Sequence, residues 1–388
     1  MTYPGEKKIL MSGNEAIAEG AIQAGCSFYA GYPITPQNEL IAYMARHLPP
    51  AGGVFIQAES ELAAINMVFA AAAAGSRAMT SSSSPGISLK QEGISYIAGA
   101  ELPAVIVNIM RGGPGLGNIW PAQSDYFQAT RGGGHGDYRC IVLAPSSVQE
   151  AYDLMLPAFE LADQYRNPAI ILGDGILGQM MEPVLVAGRW SLVAGKRKNL
   201  SAIRYPLSAK KWALTGCKGR KPNIVKSFYM KEGDLEEFNL RLQKKYRMIN
   251  EKEQRCDTLF LEDAEVILVA YGTMARIAKG AVTKLREDGR RVGLIRPITL
   301  WPFPDKAFKR LAIGARHNTS AGVRQRFMAD DKRLTILVIE MSYGQMLDDV
   351  RLAVNCRVPV EFLGRSGGGM STEEDIVKKI NHLERTRR

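Results

Sequence analysis

The sequence predicts an α/β protein with a doubly wound parallel sheet and a second, smaller α/β domain. Three observations predict this fold. Apolar strands alternate with helices over the first half, a lysine-rich stretch interrupts the alternation, and the alternation resumes near residue 264. With 388 residues, the chain is also too long for one ordinary core. We therefore expect a first domain at residues 1–188, a basic linker or arm at 189–262 and a second domain at 263–388.

The first domain should contain short strands that are buried on both faces, because most of their residues are apolar. The predicted strands are residues 26–30, 54–57, 77–80, 104–110, 140–143 and 169–172. Predicted helices are residues 61–74, 87–100 and 147–165. Serines followed by Pro-Gly predict a turn at residues 81–86.

The second half begins with a polar, irregular stretch that ends in a charged helix at 234–255. A new strand is predicted at 264–273, and a helix follows it at 275–288. The predicted strands 291–295 and 334–340 and the helix 345–353 complete this unit. A basic insertion at residues 314–332 is predicted to be a surface loop.

Composition excludes several functional classes. No apolar stretch reaches the ~18 residues of a membrane span, and the N-terminus lacks a signal-peptide core, so we expect a cytoplasmic protein. The five cysteines are scattered without a CxxC pair, which excludes an iron–sulfur cluster or zinc ribbon held by this chain alone. The net charge is +11, but no stacking aromatics accompany the basic residues. We expect no nucleic-acid binding; an acidic protein partner fits better.

The segment Gly31-Tyr32-Pro33-Ile34-Thr35-Pro36 is the most informative turn in the chain. Its two prolines restrict the backbone on both sides of Thr35. The turn follows a predicted strand, and open α/β sheets bind ligands at that end of their strands. The alternative is structural, with Thr35 as the N-cap of a helix and Pro36 at its first position.

Glu61 lies where the strand 54–57 leads into a helix, two residues after Glu59. Acidic residues are favoured in any first helical turn by the helix dipole. The helix behind Glu61 is almost wholly apolar, however, so it should be buried on several sides. A carboxyl group at the buried start of such a helix is suited to exchanging a proton.

Arg111 ends the strand 104–110 and opens the glycine-rich string Gly112-Gly113-Pro114-Gly115. Glycines allow the backbone to approach a ligand closely, and an arginine in such a loop suits a carboxylate or a phosphate. The loop has no Gly-Lys-Ser/Thr ending, so it is not a P-loop. A flexible surface loop is the alternative.

Together these motifs resemble a known family, the thiamine-diphosphate-dependent 2-oxoacid:ferredoxin oxidoreductases. The motifs, in chain order, are Tyr32-Pro33-Ile34-Thr35-Pro36, Ser60-Glu61, Ser84-Pro85-Gly86 and Arg111-Gly112-Gly113-Pro114. The similarity covers nearly the whole chain, including residues 296–303 and 340–346. The chain resembles the alpha-type subunit, in which a pyrimidine-binding domain precedes a transketolase C-terminal-like domain.

The resemblance implies CoA-dependent oxidative decarboxylation of a 2-oxoacid to acyl-CoA and CO2, with electrons passed to ferredoxin. Thiamine diphosphate would be shared with a diphosphate-binding beta-type subunit, which would hold Mg2+. Gamma- and delta-type subunits would carry the iron–sulfur clusters and the CoA site. The chain itself would hold no metal and would act only within a hetero-oligomer.

The resemblance also assigns residues. Glu61 matches the catalytic glutamate that would hydrogen-bond the ring nitrogen of the aminopyrimidine. Thr35 and Arg111 match positions that hold the 2-oxoacid, whose carboxylate would pair with the arginine. The other positions that match cofactor-binding residues are Pro33, Ile34, Ser84, Pro85 and Gly86.

The substrate and two other functions stay open. Residues 81–93 most resemble the branched-chain (3-methyl-2-oxobutanoate) enzymes, with the 2-oxoglutarate enzymes next. A dicarboxylate would want a second cation, which Lys90 or Arg131 could provide. A stand-alone thiamine diphosphate decarboxylase could hold magnesium with Gly173-Asp174-Gly175 and Asn199, although a turn is favoured there. A non-catalytic basic binding module is the remaining alternative.

Overall fold

The computed structural model describes residues 6–187, 190–193, 196–199, 210–313 and 334–386. The predicted insertion at 314–332 lies outside these residues. The elements up to residue 199 are β1 (Glu6–Ser12), α1 (Gly13–Gln23), β2 (Phe28–Gly31), α2 (Asn38–His47), β3 (Val54–Gln57), α3 (Glu61–Ala73), β4 (Ala78–Ser82), α4 (Ser84–Gly99), β5 (Ala104–Met110), a π-helix (Gln128–Gly132), β6 (Ile141–Leu143), α5 (Val148–Asp153), α6 (Met155–Tyr165), β7 (Pro168–Asp174), α7 (Gly175–Gln179), β8 (Met181–Ala187), β9 (Trp190–Val193) and β10 (Lys196–Asn199). The later elements are α8 (Asp234–Lys252), β11 (Cys256–Leu259), β12 (Val266–Val269), α9 (Gly272–Glu287), β13 (Val292–Pro297), β14 (Thr299–Trp301), α10 (Asp305–Ile313), β15 (Thr335–Glu340), α11 (Gln345–Val354), β16 (Val360–Gly364) and α12 (Glu373–Thr386).

A seven-stranded sheet organises the first part of the chain, in the order β14–β6–β7–β5–β4–β2–β3. Every neighbouring pair from β6 to β3 is parallel, and β14 runs antiparallel to β6. Each residue of β4, β5 and β7 is buried, as expected for apolar strands covered on both faces. The carboxyl ends of the parallel strands therefore meet at one edge of the sheet, which carries the turns after β2, β4 and β5.

A second, five-stranded sheet has the order β11–β13–β12–β15–β16 and is parallel except for β11. Alternate residues of β12 face opposite sides. Val266 and Leu268 pack in a cluster with α9 and α12, whereas Ile267 and Val269 belong to the large core that also includes the first sheet. The predicted fold class, α/β with two parallel-sheet units, is confirmed.

The two sheets are joined by more than a linker. β14 lies after the predicted boundary at residue 263 but forms an edge of the first sheet. β11 lies before that boundary and belongs to the second sheet. α8 buries Phe238, Leu242, Tyr246 and Ile249 in the large core. The division at residues 188 and 262 stays a prediction, although strands cross it in both directions.

Two local predictions were wrong because the position of a proline was misjudged. The predicted turn at 81–86 is instead the end of β4 followed by the start of α4 at Ser84. Pro85 lies in the first helical turn, where a missing N–H costs nothing. The predicted helix at 147–165 divides into α5 and α6, because Pro157 near the start of α6 cannot continue a helix from before it.

Across the parts of the chain given above, no helix combines the length and apolarity needed to cross a membrane.

Asp174 ends β7 and connects the two units. Its fully buried carboxylate accepts hydrogen bonds from Leu177 N (3.1 Å), Thr273 N (3.1 Å) and Thr273 Oγ1 (2.6 Å). Leu177 belongs to α7 and Thr273 to the first turn of α9. One carboxylate therefore binds the starts of two helices from different units.

We expect Asp174→Asn to lower the free energy of unfolding by about 2 kcal/mol. The amide keeps the shape of the carboxylate, but its NH2 group cannot accept a hydrogen bond. At least one buried N–H or hydroxyl donor therefore loses its partner. Denaturant titration of the purified chain measures the change. Asp153→Asn is the control, because that exposed aspartate should be nearly neutral to the same exchange. Equal losses for the two variants would contradict this role of Asp174.

Candidate functional site

The turn after β2 is held at the carboxyl edge of the first sheet. Asn14 donates a hydrogen bond from Nδ2 to the Pro36 carbonyl oxygen at 2.7 Å. The Gln37 N–H donates to the carbonyl oxygen of Ile34 at 3.0 Å, which makes a separate turn before α2. Gln37, not Thr35, is the N-cap of α2, so the structural alternative for Thr35 is wrong. The half-buried Thr35 is left at the edge of the sheet.

A buried hydrogen-bonded chain fixes this turn to the sheet. The Ser81 hydroxyl donates to Gln37 Oε1 at 2.6 Å and lies 2.6 Å from the Tyr29 hydroxyl. Gln37, Ser81 and Tyr29 are all fully buried. Sequence reasoning missed these residues, because the contacts join positions that are 44 and 52 residues apart and no local pattern marks them.

Glu61 is the first residue of α3 and is only 6% exposed. The preceding residue, Ser60, caps the helix by accepting a hydrogen bond from Ala63 N at 3.1 Å. The Glu61 carboxyl group is therefore not needed as the cap. Within the residues that the structure describes, no group donates a hydrogen bond to it. Glu59, in contrast, is exposed.

The first turn of α4 packs directly against Glu61. A Cβ atom at Gly86 would lie 2.6 Å from Glu61 Oε1 and 2.1 Å from Ser82 Oγ, so only glycine fits without displacing a neighbour. The Ser82 and Ser83 hydroxyls are also buried, and neither has a hydrogen-bond partner in the described part of the chain. The end of β4 and the start of α4 thus place unpaired polar atoms beside a buried carboxyl group.

Arg111 lies at the end of β5 and is 7% exposed. Its guanidinium donates from NH1 to the Thr35 carbonyl oxygen at 2.9 Å and from NH2 to the Leu116 carbonyl oxygen at 3.2 Å. Its Nε is buried without a partner among the described residues. The sequence pattern predicted that Arg111 and Thr35 would both lie near strand ends. The structure brings the two residues into contact.

Ser84 connects Arg111 to α4. Its hydroxyl accepts from the backbone N–H of Arg111 at 3.0 Å and donates to Asp125 Oδ2 at 2.6 Å. Asn108 Nδ2 also donates to Asp125 Oδ2, at 2.9 Å. Burial raises the pKa of Asp125. Neither Asp125 nor Asn108 was predicted as a site residue, because neither stands in a recognisable motif.

The two cations considered for a dicarboxylate substrate are already engaged. Lys90 is fully buried and donates from Nζ to Thr80 Oγ1 at 2.9 Å and to the Glu61 carbonyl oxygen at 3.5 Å. Arg131 forms an ion pair with Asp349 of α11 at 2.8 Å. Lys90 is therefore bound inside the fold and Arg131 is paired across to α11, and a role for either as a second cation stays a prediction.

The Gly173-Asp174-Gly175 string is structural. The Asp174 carboxylate is occupied by its three hydrogen bonds to α7 and α9. The side chain of Asn199 lies outside the described residues. Among the residues that are described, no group of three or more His, Cys, Asp or Glu side chains could hold a metal ion. Cys26, Cys140, Cys217 and Cys356 are free thiols.

Large apolar side chains are exposed around the site. They lie in the turn after β2, at the starts of α3 and α4, and in the loop after Arg111. They are Tyr32, Leu62, Leu89, Leu116, Ile119 and Trp120. Exposed apolar groups beside the polar residues of a site are typical of a surface that another protein covers.

Two family models match the chain. Residues 19–233 match the model described as pyruvate flavodoxin/ferredoxin oxidoreductase, thiamine diphosphate-binding. Residues 264–321 match the model described as pyruvate:ferredoxin oxidoreductase core domain II.

Curated proteins and solved structures resemble the chain over almost its whole length. The ketoisovalerate oxidoreductase subunit VorB of Methanothermobacter marburgensis is 50% identical over 374 residues, which cover 96% of this chain and 97% of the relative. The 2-oxoglutarate synthase subunit KorA of Methanothermobacter thermautotrophicus is 36% identical and covers 98% and 100% of the two chains. A solved 2-oxoglutarate:ferredoxin oxidoreductase from Magnetococcus marinus, with 2-oxoglutarate, coenzyme A and succinyl-CoA bound, has a TM-score of 0.77 at 27% identity. It matches 97% of this chain, which spans 65% of that solved chain.

We expect Gly86→Ala to destabilise the chain by about 1–3 kcal/mol, because the added methyl group overlaps Glu61 and Ser82. Gly113→Ala is the matched control, since a Cβ atom there meets no other atom within 4 Å. Thermal and denaturant unfolding of the purified variants measure both effects. If Gly86→Ala were as stable as Gly113→Ala, the packing of α4 on Glu61 would not be tight.

Proposed function

The chain belongs to the 2-oxoacid:ferredoxin oxidoreductases, as an alpha subunit, and on that premise we propose its substrate, its site residues and its partners. The substrate proposed is 3-methyl-2-oxobutanoate. With CoA and two oxidised ferredoxins, the complex would yield the corresponding acyl-CoA, CO2, two reduced ferredoxins and a proton. The 50% identity to a ketoisovalerate oxidoreductase subunit supports this substrate.

The observation that carries the proposal is the position of α4 between Glu61 and Arg111. Gly86 of its first turn touches the Glu61 carboxyl group, and Ser84 binds the backbone of Arg111. A buried carboxyl group and a buried guanidinium are thereby fixed at one edge of the sheet. This arrangement suits a reaction that needs a proton-exchanging group beside a binding group for a carboxylate.

The cofactor proposed at this edge is thiamine diphosphate, and the domain over residues 19–233 is a thiamine-diphosphate-binding domain. When bound, it supplies the nucleophilic carbon that attacks the 2-oxo group and allows CO2 to leave. The residues present fit its aminopyrimidine ring. Glu61 has a carboxyl group free to share a proton with a ring nitrogen, and unpaired Ser82 and Ser83 hydroxyls lie beside it. Pro33, Ile34 and the Ser84-Pro85-Gly86 turn would form the walls.

Arg111 and Thr35 are the proposed binding residues for the 2-oxoacid. Two guanidinium nitrogens of Arg111 are held by backbone carbonyls, so its orientation is fixed before substrate binds. Its planar fork matches a carboxylate. Thr35, whose carbonyl oxygen accepts from Arg111 NH1, is half-buried, and its hydroxyl accepts a hydrogen bond from Asn38 Nδ2 at 3.4 Å.

The protein is one subunit of a multi-subunit oxidoreductase, and its site is half of the complete one. We propose that a diphosphate-binding beta-type subunit covers it and holds Mg2+, and that gamma- and delta-type subunits carry the iron–sulfur clusters and the CoA site. The exposed apolar residues near Thr35, Glu61 and Arg111 support the proposal of a partner that covers this surface. Asp174 is occupied by hydrogen bonds, which disfavours a stand-alone decarboxylase.

A 2-oxoglutarate enzyme is the second candidate, supported by the 36% identity to a 2-oxoglutarate synthase subunit. Its second substrate carboxylate would need a cation on this face. Within this chain Lys90 is fully buried and Arg131 is paired with Asp349, so neither is an exposed, unpaired cation. The contacts of this chain therefore favour the branched-chain substrate.

The full complex, purified with its partner subunits, should reduce ferredoxin with 3-methyl-2-oxobutanoate and CoA. We expect its kcat/KM to exceed that for 2-oxoglutarate by about tenfold or more. Arg111→Lys should raise KM for both substrates alike, because the arginine binds the carboxylate they share. A preference for 2-oxoglutarate would overturn the proposed substrate. Magnesium-dependent decarboxylation by the isolated chain would overturn the proposal that this chain carries only half of the site, called the half-site below.

Within that complex, Glu61→Gln should lower kcat by about 10²–10⁴-fold, because an amide cannot exchange a proton with the cofactor ring. Glu59→Gln is the matched control. It removes an exposed carboxylate two residues away and should leave kcat unchanged. Steady-state ferredoxin reduction by the two variants decides between the two glutamates, and full activity of Glu61→Gln would show that the role assigned to Glu61 is wrong.

A further inference from the structure

Lys90 is a fully buried lysine that the proposed reaction does not use. It lies in α4, one turn after Gly86, and is among the largest side chains with no exposed surface. Its Nζ reaches two oxygens, Thr80 Oγ1 at 2.9 Å on β4 and the Glu61 carbonyl oxygen at 3.5 Å on α3. Both oxygens are uncharged, so the ammonium group is buried without a direct ion pair in the described part of the chain.

Packing alone does not require a lysine at this position. A buried ammonium is costly unless it is paired, and an apolar side chain of similar length would fill the same space without that cost. Methionine has nearly this length and flexibility. Lys90 therefore differs from such an apolar side chain in its charge. That charge lies next to Glu61, the residue at the centre of the half-site.

The charged surroundings of Lys90 are simple. α3 contributes Glu61, β4 contributes the neutral Thr80, and Glu92 on α4 itself is exposed. Burial lowers the pKa of Lys90 to about 7, and the negative charge of Glu61 opposes this lowering. A fully buried ammonium group thus lies against the first residue of α3, Glu61.

We propose that Lys90 is a positioning residue for Glu61. It fixes the first turn of α3 through the Glu61 carbonyl oxygen, and it supplies the positive charge against which the Glu61 carboxyl group gains or loses its proton. The proposal rests on the role proposed for Glu61. The charged form of Lys90 stabilises a negative charge on Glu61, and the neutral amine does not. Loss of the lysine should therefore remove this stabilisation.

The direct test is a titration of Lys90 by nuclear magnetic resonance in the full chain, labelled with ¹³C at lysine Cε. The resonance that disappears in Lys90→Met belongs to Lys90. We expect its midpoint near pH 7, whereas ordinary lysines titrate near pH 10.4. Glu61→Gln should lower this midpoint by about one unit, because the carboxylate stabilises the ammonium. A midpoint near 10, or one that Glu61→Gln does not move, overturns the coupling.

The second readout is the pH profile of kcat in the complete complex. Lys90→Met should move the acidic limb to higher pH by about one unit, because the carboxyl group loses a neighbouring positive charge. Lys245→Met is the matched control. It removes a half-buried lysine, which pairs with Glu101 beyond the C-terminal end of α4, and should leave the limb in place. An unmoved limb in Lys90→Met would contradict the proposal.

If Lys90→Met fails to fold, Thr80→Val serves instead. It removes only the hydroxyl that binds Nζ, and it should lower the Lys90 midpoint while both charges remain. The two proposals fail in different ways. A wild-type complex that is inactive with 2-oxoacids overturns the proposed function, while the resonance still decides the coupling. An active complex with an unmoved midpoint overturns the coupling alone.

Discussion

The half-site depends on one packing constraint, which is the contact between the first turn of α4 and Glu61. A glycine at position 86 lets the helix touch the carboxyl group, and Ser84 of the same turn binds the backbone of Arg111. Because β4 and β5 are parallel neighbours, their ends already lie side by side. The helix then sets the distance between Glu61 and Arg111 with rigid backbone rather than with two independent loops. This is the kind of preorganisation that functional sites require.

The second unit holds the loop that follows Arg111. Gln123 donates from Nε2 to the Tyr271 carbonyl oxygen at 2.9 Å and accepts from Met341 N at 3.0 Å, so the loop after Arg111 is bound to the ends of β12 and β15. Two residues later, Asp125 in the same loop holds Ser84. The second sheet therefore contributes no proposed site residue, yet it fixes the loop that orients the first turn of α4.

The sequence predicted the parts of this structure that local patterns encode. Apolar runs located the strands, and Thr35, Glu61 and Arg111 stood out because each lies within four residues of the end of a strand. The residues that connect them were not predictable. Gln37 and Asp125 act through contacts with residues 44 and 41 positions away, and polar side chains of these types are equally common on protein surfaces. Thr35 was considered as a helix cap because the extra turn between Ile34 and Gln37 has no strong signature. β14 was missed because three residues are too few for a periodic pattern.

β14 also has a consequence for how the chain can be divided. It pairs with β6 and closes one edge of the first sheet, although most of its neighbours in sequence belong to the second sheet. A fragment that stopped at the linker would keep every proposed site residue but would leave the backbone of β6 open at that edge. Open edges of buried strands pair with other chains. Division of the chain at that linker would therefore expose the β6 edge and favour self-association of the fragment.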